Sequence, residues 1–441
     1  MADIIYIAIF TFTNKTKNTM KSAIKRCIAL SLFLFISVNL SAQVQQEIAP
    51  PYNIKTASFI KDAANVYPFF RLGESFAFVF DDLFGNEANY YYTITHCNYD
   101  WTPSSMLTVN DYIQGFDNQR IQAYENSFNT LQIYSRYTLT FPNKFTTLLL
   151  SGNYVLKILN DDREVVFTRR FVLYEEQVSV PVQVKRARNM EVIQEKQNLD
   201  FSIKSASIQF QSPLQNVKVA LFQNGRFDSA IYNVKPQYTI GNDLIYRYDK
   251  ETQFWAGNEF MYFENKDIRN AVNNVLRITA GEIYNTVLYP NAARRGSAYT
   301  FYPDVNGNFQ TRNINLSVTN PGLESDYTWV FFSLSAPLYY EKKDIYVGGM
   351  FNNYAKTPEY KMDYNEKTAT YEKAVMIKQG FNNYQYLIAD KNGVVDGEHA
   401  IDGNFYQTEN DYTVLVYYRE NGQRYDRVIG IGQANSENII N

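Results

Sequence analysis

Metal binding and nucleophilic catalysis need histidine, cysteine or carboxylate groups at defined spacings. This chain of 441 residues has two histidines, His96 and His399, and two cysteines, Cys27 and Cys97. His96 adjoins Cys97, but neighbours on an extended chain point to opposite faces, so the two do not readily share an ion. No zinc-type Cys/His spacing occurs. Gly73-Glu74-Ser75-Phe76-Ala77 approximates a nucleophile elbow but lacks its final glycine, and Phe78-Val79-Phe80 continue it as a strand where a helix should open. Asp390-Lys391-Asn392-Gly393 starts as a calcium loop does, then reaches glycine early and has no closing glutamate, so it reads as a hairpin turn. No P-loop or dinucleotide fingerprint is present. Carboxylate pairs for glycoside cleavage could be assembled only by the fold, and nothing points at a particular pair. The expectation is a non-enzymatic protein without catalytic residues, metal or cofactor.

The elements that must position the remaining side chains are strands. Aromatic residues make up 16% of the chain, with 37 tyrosines; such residues suit the half-buried surface of a sheet and also large binding surfaces. Period-2 patterns predict strands at Ser75 to Phe80, Tyr90 to Thr95, Tyr137 to Phe141, Tyr154 to Leu159 and Val165 to Tyr174. Helical periodicity is confined to short pieces around Asp117–Tyr124 and Asp267–Asn274. The predicted class is all-β, as tandem immunoglobulin-like or early-set sandwiches. Polar stretches after Tyr174 and at Thr319 to Asp326 suggest divisions at 43–177, 178–322 and 323–432, followed by a polar tail, 433–441. The strand–turn–strand units at Asn153-Tyr154 and Asp411-Tyr412 look alike and would each close a domain.

The first 42 residues read as a leader. From Met20, the expected true start, a basic stretch (Lys21, Lys25, Arg26) precedes an apolar run from Ile28 to Leu40 and a small-residue site at Leu40-Ser41-Ala42. That is the layout of a secretory signal peptide cut before Gln43; the apolar run is shorter than the ~20 residues a bilayer needs. Cys27 leaves with the leader, so Cys97 has no partner for an intrachain disulfide. Residues 1–42 hold five of the 42 basic and one of the 45 acidic residues, so the mature chain carries net charge −7. Nucleic acid, which would call for a basic face, is not an expected partner, and no other window is long and apolar enough to span a membrane.

One stretch resists these categories. From Asn110 to Asn143 the chain reads NDYIQGFDNQRIQAYENSFNTLQIYSRYTLTFPN: aromatic, amide-rich and without catalytic pairs. Together with HCNYDW (His96 to Trp101), SGNYVLKIL and TRRFVL, it resembles the type IX secretion system plug protein of Bacteroidetes, most densely from Tyr52 to Tyr174. The resemblance implies a periplasmic, non-enzymatic protein on the inner side of the outer membrane. Its partner would be the large outer-membrane translocon barrel, whose periplasmic mouth it would close when no cargo is exported. Candidate contacts are Tyr99, Trp101, Tyr112, Phe116, Arg120, Tyr124 and Phe128; the competing expectation for the aromatic ones is packing onto their own sandwich.

A second resemblance covers the C-terminal part. YTWVFFSLSAP, then DIYVGGMFNNY (Asp344 to Tyr354), then GFNNYQYLIADKNG follow the order of glycogen-binding-type early-set domains. Those domains hold sugar rings against tryptophans. Here Tyr354 replaces one tryptophan, as a vestigial sugar platform, and Val394 or Val395 falls where the second would be, which argues against glycan binding. Two alternatives remain open at this stage: a glycan-binding accessory protein of the periplasm or cell surface, and an exported cargo of the same secretion system.

Overall fold

The computed structural model describes residues 43–315, 318–336, 343–437 and 439. The expected leader, with Met20 and Cys27, lies outside the described residues. Residues 43–45, the described part of a separate N-terminal unit, carry no regular structure. Everything described below belongs to the unit that starts at Gln46.

The fold is all-β. Strands occupy Phe76–Asp82, Tyr91–Cys97, Ser135–Phe141, Gly152–Leu159 and Val165–Tyr174, where alternation predicts them. Helices among the described residues are single turns at Val109–Tyr112, Pro213–Asn216, Pro321–Glu324 and Met350–Asn352. The two expected helical pieces do not form: Gln119–Arg120 and Ala123–Asn126 are strands, and 267–274 runs through bends and turns. Sheet edges needing a partner decide this, because each short strand pairs with a longer one beside it. No helix among the described residues is long and apolar enough to cross a membrane.

A first sandwich packs the sheet built on Ile54–Lys61, Phe76–Asp82 and Ser135–Phe141 against the sheet built on Tyr91–Cys97, Gly152–Leu159 and Val165–Tyr174. Its core is rich in rings: Phe80 stacks on Tyr137 with centroids 5.0 Å apart, and Tyr154 stacks on Phe171 at 5.3 Å. Much of the aromatic surplus is therefore interior.

The second sandwich is assembled from distant parts of the chain. Strand Val217–Gln223 pairs along its length with Asp411–Tyr418, which pairs with Arg427–Asn435. Facing this sheet are Val182–Arg186, Lys196–Ile203 and Asp243–Tyr246. The third core lies between these parts in sequence. Gly380–Ala389 pairs with Met261–Glu264, Phe309–Thr311 and Asp344–Gly348, and a second sheet is ordered Val275–Thr279, Asn285–Leu288, Tyr327–Ser335, Thr370–Lys378, Asp363–Asn365. The sheets therefore do not divide at the expected 322/323 break, nor do they place 323–432 in one sandwich. The expected tail is also too long, since residues 433–435 complete a strand and the buried Ser436 hydroxyl donates to Thr408 O at 2.8 Å. Strand periodicity shows where strands are, not which partner nearly 200 residues away they choose.

Two joints fuse these bodies. Between the first and second sandwiches two sheets meet face to face. Val155 and Val172 from one side pack with Ala220, Phe222, Leu415 and Tyr417 from the other. These strands are buried on both faces, which is why Gly152–Leu159 and Asp411–Tyr418 read as nearly continuous apolar runs. The joint between the first sandwich and the third core is polar. The fully buried Asp81 carboxylate accepts from Arg136 Nη1 (2.9 Å), Lys378 Nζ (2.5 Å) and Tyr327 OH (2.7 Å). Burial draws the Lys378 ammonium down to about 7 while Asp81 pulls it back up.

Candidate interaction surface

His96 and Cys97 are accounted for by packing. His96 is buried, with Nδ1 at 2.8 Å from Ser104 Oγ and Nε2 at 3.2 Å from Ser151 O; burial pushes it down to about 4, so it is neutral. Cys97 points the other way, into the joint between sandwiches, where burial pushes its thiol up to about 12. No group of three or more His, Cys, Asp or Glu that could hold a metal occurs among the described residues. Asp390 closes a turn by accepting from the amides of Asn392 (2.8 Å) and Val394 (2.9 Å).

Four of the eight residues singled out in the sequence are interior. Tyr99 and Trp101 fill the joint between the first two sandwiches: Tyr99 OH donates to Val219 O at 2.8 Å and accepts from Asn233 N at 2.7 Å, and Arg170 lies 4.4 Å from the Trp101 ring. Tyr112 belongs to the first core. Tyr354 is buried, with the Arg226 guanidinium of the second sandwich 4.3 Å from its ring centroid, so it offers no face to a sugar. For Tyr99 and Trp101 the physical reason is the joint: where two sheet faces close against each other, the turn beside them supplies large rings as filler, whereas Tyr112 and Tyr354 fill the cores of their own sheets.

Phe116 (66% exposed), Arg120 and Phe128 (64% exposed) are on the surface, and Tyr124 is half-buried against Tyr137 with its hydroxyl donating to Glu87. They do not form one patch. The register pairs Phe76 with Phe141 at one end of the sheet and Asp82 with Ser135 at the other. Phe116 sits beside Phe145 and Thr146 at the first end, whereas the loop carrying Phe128 leads into Ser135 at the second. Seven paired residues separate these ends by about 20 Å.

The second end has the makings of a binding surface. The loop from Ser127 to Tyr134 is clamped from beneath: the Asp326 carboxylate accepts from the amides of Leu131 (2.9 Å) and Gln132 (3.1 Å), and Phe128 N donates to Leu323 O at 3.0 Å. Burial pushes the Asp326 carboxyl up, and these amides oppose the shift. Tyr134 OH reaches Gly322 O and Ser325 O, both at 3.0 Å. Held this way, the loop turns Phe128, Leu131 and Ile133 toward solvent. Ile133 lies over Gly85, where a Cβ would approach within 3.1 Å, and next to Gly85 the exposed Phe84 meets Tyr52 edge-on at 5.9 Å. On a pre-formed loop, an exposed apolar cluster would meet a partner at reduced ordering cost. Of these exposed side chains the sequence analysis singled out Phe128 and not Tyr52, Phe84, Leu131 or Ile133. The available signal was apolar side chains in a segment already rich in turn residues.

Comparison with known proteins agrees with the resemblance seen in the sequence. Residues 54–175, the first sandwich, match the family described as "Type 9 secretion system plug protein 1st domain". No curated protein matches the chain. Among solved structures, a hypothetical protein from Parabacteroides merdae shares 32% identity and superposes with a TM-score of 0.83, over 89% of this chain and 100% of that one. The chain is thus a member of the type IX secretion system plug protein family.

Proposed function

We propose that this protein acts in the periplasm as a rigid stopper on the outer-membrane translocon of the type IX system, closing the periplasmic mouth of the barrel between export events. The observation that carries this reading is the fused body. The sandwiches are joined by a two-sided apolar interface and by the buried Asp81–Lys378–Arg136 cluster, in contrast to beads on flexible linkers. A unit of about 400 residues has a radius of gyration of about 21 Å, or about 55 Å across if spherical. That size suits an opening through which folded domains pass. The clamped apolar loop at Phe128, Leu131 and Ile133 is the contact we assign to the barrel, since hot spots cluster in pre-organised apolar patches. The test is site-specific crosslinking from Phe128 in native membranes, with Phe116, at the opposite end of the sandwich, as the comparison. A barrel adduct from position 128 but not 116 is the expected result; adducts from neither position would overturn the assignment.

A further inference from the structure

Strand Gly380–Ala389 has one edge that is open for part of its length. On one side it pairs with Phe309–Thr311 and Asp344–Gly348. On the other, Met261–Glu264 covers it only as far as Tyr384, and the next contact is the turn in which Asp396 N donates to Ile388 O at 2.9 Å. The chain before Met261 bends away, since Phe260 N donates to the Asp304 carboxylate at 2.5 Å. Register fixes where the freed backbone groups point. Val347 lies opposite Tyr386 and Ile345 opposite Ile388, yet Val347 N donates to Tyr360 O and Ile345 O accepts from Met362 N, both on the far side of their strand. The N–H and C=O of Tyr386 and the N–H of Ile388 therefore point to the open edge, where no described residue bonds them. That edge borders a cleft of about 390 Å³ between the third core and the second sandwich. In it the Gln385 amide nitrogen and the Ser229 hydroxyl are also buried without a partner among the described residues.

We propose that this cleft binds a short, uncharged, extended peptide that pairs with Tyr386. A donor and an acceptor on one residue, with a second donor two residues on, is the pattern that an added antiparallel strand completes. Buried backbone groups are costly to leave unpaired, so an occupant that supplies both a donor and an acceptor is favoured there. Length is set by the neighbours. The four residues between Tyr384 and Ala389 rise about 14 Å, so a segment of more than about four residues would meet Met261 at one end or Val395 at the other. Side-chain preference follows from the pleat. The peptide residue opposite Tyr386 shares its face, which the third core fills, and must be small. The residues on either side of it project to the face of Gln385 and Leu387, where Phe254 and Trp255 add apolar wall and Gln385 and Ser229 offer hydrogen bonds. Charges nearby are already matched: Arg226 binds Asp228 at 3.0 Å, Asp228 also takes Lys356, and Asp396 binds Lys343 and His399. Nothing there calls for a charged ligand. The site does not depend on the gating role.

The test uses the chain from Gln43 to Asn441, titrated by calorimetry with acetyl-Thr-Ala-Thr-amide. In antiparallel register the alanine exchanges both bonds with Tyr386, and the acetyl carbonyl accepts from Ile388 N. We expect saturable binding in the millimolar range or tighter, with slower deuterium uptake across 384–389 in the complex. The same peptide built on N-methylalanine keeps its side chains but lacks the N–H that meets Tyr386 O, and should bind at least about tenfold more weakly. Ser229→Phe fills the cleft and should abolish binding; the methylated peptide needs no variant, so the test stands even if Ser229→Phe does not fold. No saturable heat up to tens of millimolar peptide would overturn the inference. So would equal affinity for the methylated peptide, unchanged deuterium uptake across 384–389, or full binding by a folded Ser229→Phe protein.

Discussion

Asp81 is the group whose loss the fused body should tolerate least. Its carboxylate is fully buried and holds Arg136, Lys378 and Tyr327 together across the joint. Asp81→Asn keeps the shape but strands the buried Lys378 and the partly buried Arg136, leaving Lys378 with Gly322 O and Arg136 without its carboxylate. Removing one partner of a buried ion pair costs about 3–5 kcal/mol. Lys378 can relieve part of that by losing its proton, since burial already brings it down to about 7. The expected loss is therefore in the lower half of the range, about 3–4 kcal/mol. With an unfolding entropy of about 2.1 cal/mol/K per residue over about 400 residues, that is a fall in Tm of about 4–5 °C. Lys378→Met leaves Asp81 bonded to Arg136 and Tyr327, removing one charge-assisted bond, and should cost less, about 1.5–3 kcal/mol. The double variant should cost less than the two singles added, because the stranded ammonium is gone. Urea unfolding followed by circular dichroism measures all three. An Asp81→Asn variant within about 1 kcal/mol of the parent, or strict additivity, would refute the claim that this cluster locks the first sandwich to the third core.

Other outcomes follow from the same geometry. Burial holds His96 at about 4, so between that value and the ordinary histidine value near 6.5 the unfolded chain binds a proton that the folded chain does not. Stability is full above pH 6.5 and falls by about 1.4 kcal/mol per pH unit below it; in His96→Gln, about 2 kcal/mol of the loss at pH 5 should vanish, read as the difference in urea titrations at each pH. Cys97 should stay silent to Ellman's reagent in the native chain beginning at Gln43 and titrate as one thiol on unfolding, because it is buried with its thiol pushed up to about 12. Phe128→Ser with Leu131→Ser should leave stability within about 0.5 kcal/mol, as exposed substitutions do, while weakening barrel capture from native membranes.

Much of the strand layout was legible in the sequence because alternation is local. Val165–Tyr174 appears where it was expected, and the other four expected strands shift by only a residue or two at their ends. Pairing was not legible. Asp411–Tyr418 could have closed a C-terminal sandwich of its own, yet it completes a sheet begun at Val217, and no local pattern encodes that choice. Four of the eight candidates are interior for a related reason. Tyr99, Trp101 and Tyr112 look like contact aromatics in sequence and Tyr354 like a sugar platform, but whether a ring faces solvent, its own core or a second sheet is decided only in the assembled chain. Trp329 and Phe331 illustrate the converse. They lie in the apolar run YTWVFFSLS, which does not tell which face is covered, and they are exposed because one face of their sheet has no partner among the described residues.

Outer-membrane permeability tests the central claim most directly. Strains lacking this protein, lacking the barrel, or lacking both should be compared for uptake of an antibiotic of ~1–2 kDa that an intact outer membrane excludes. An opening wide enough for a folded domain, whose radius of gyration is ~13 Å at 100 residues, cannot exclude such a solute by size. The account predicts sensitivity in the single deletion of this protein and its disappearance when the barrel is deleted as well. Unchanged permeability in the single deletion, with the barrel present and its other periplasmic partners absent, would contradict it.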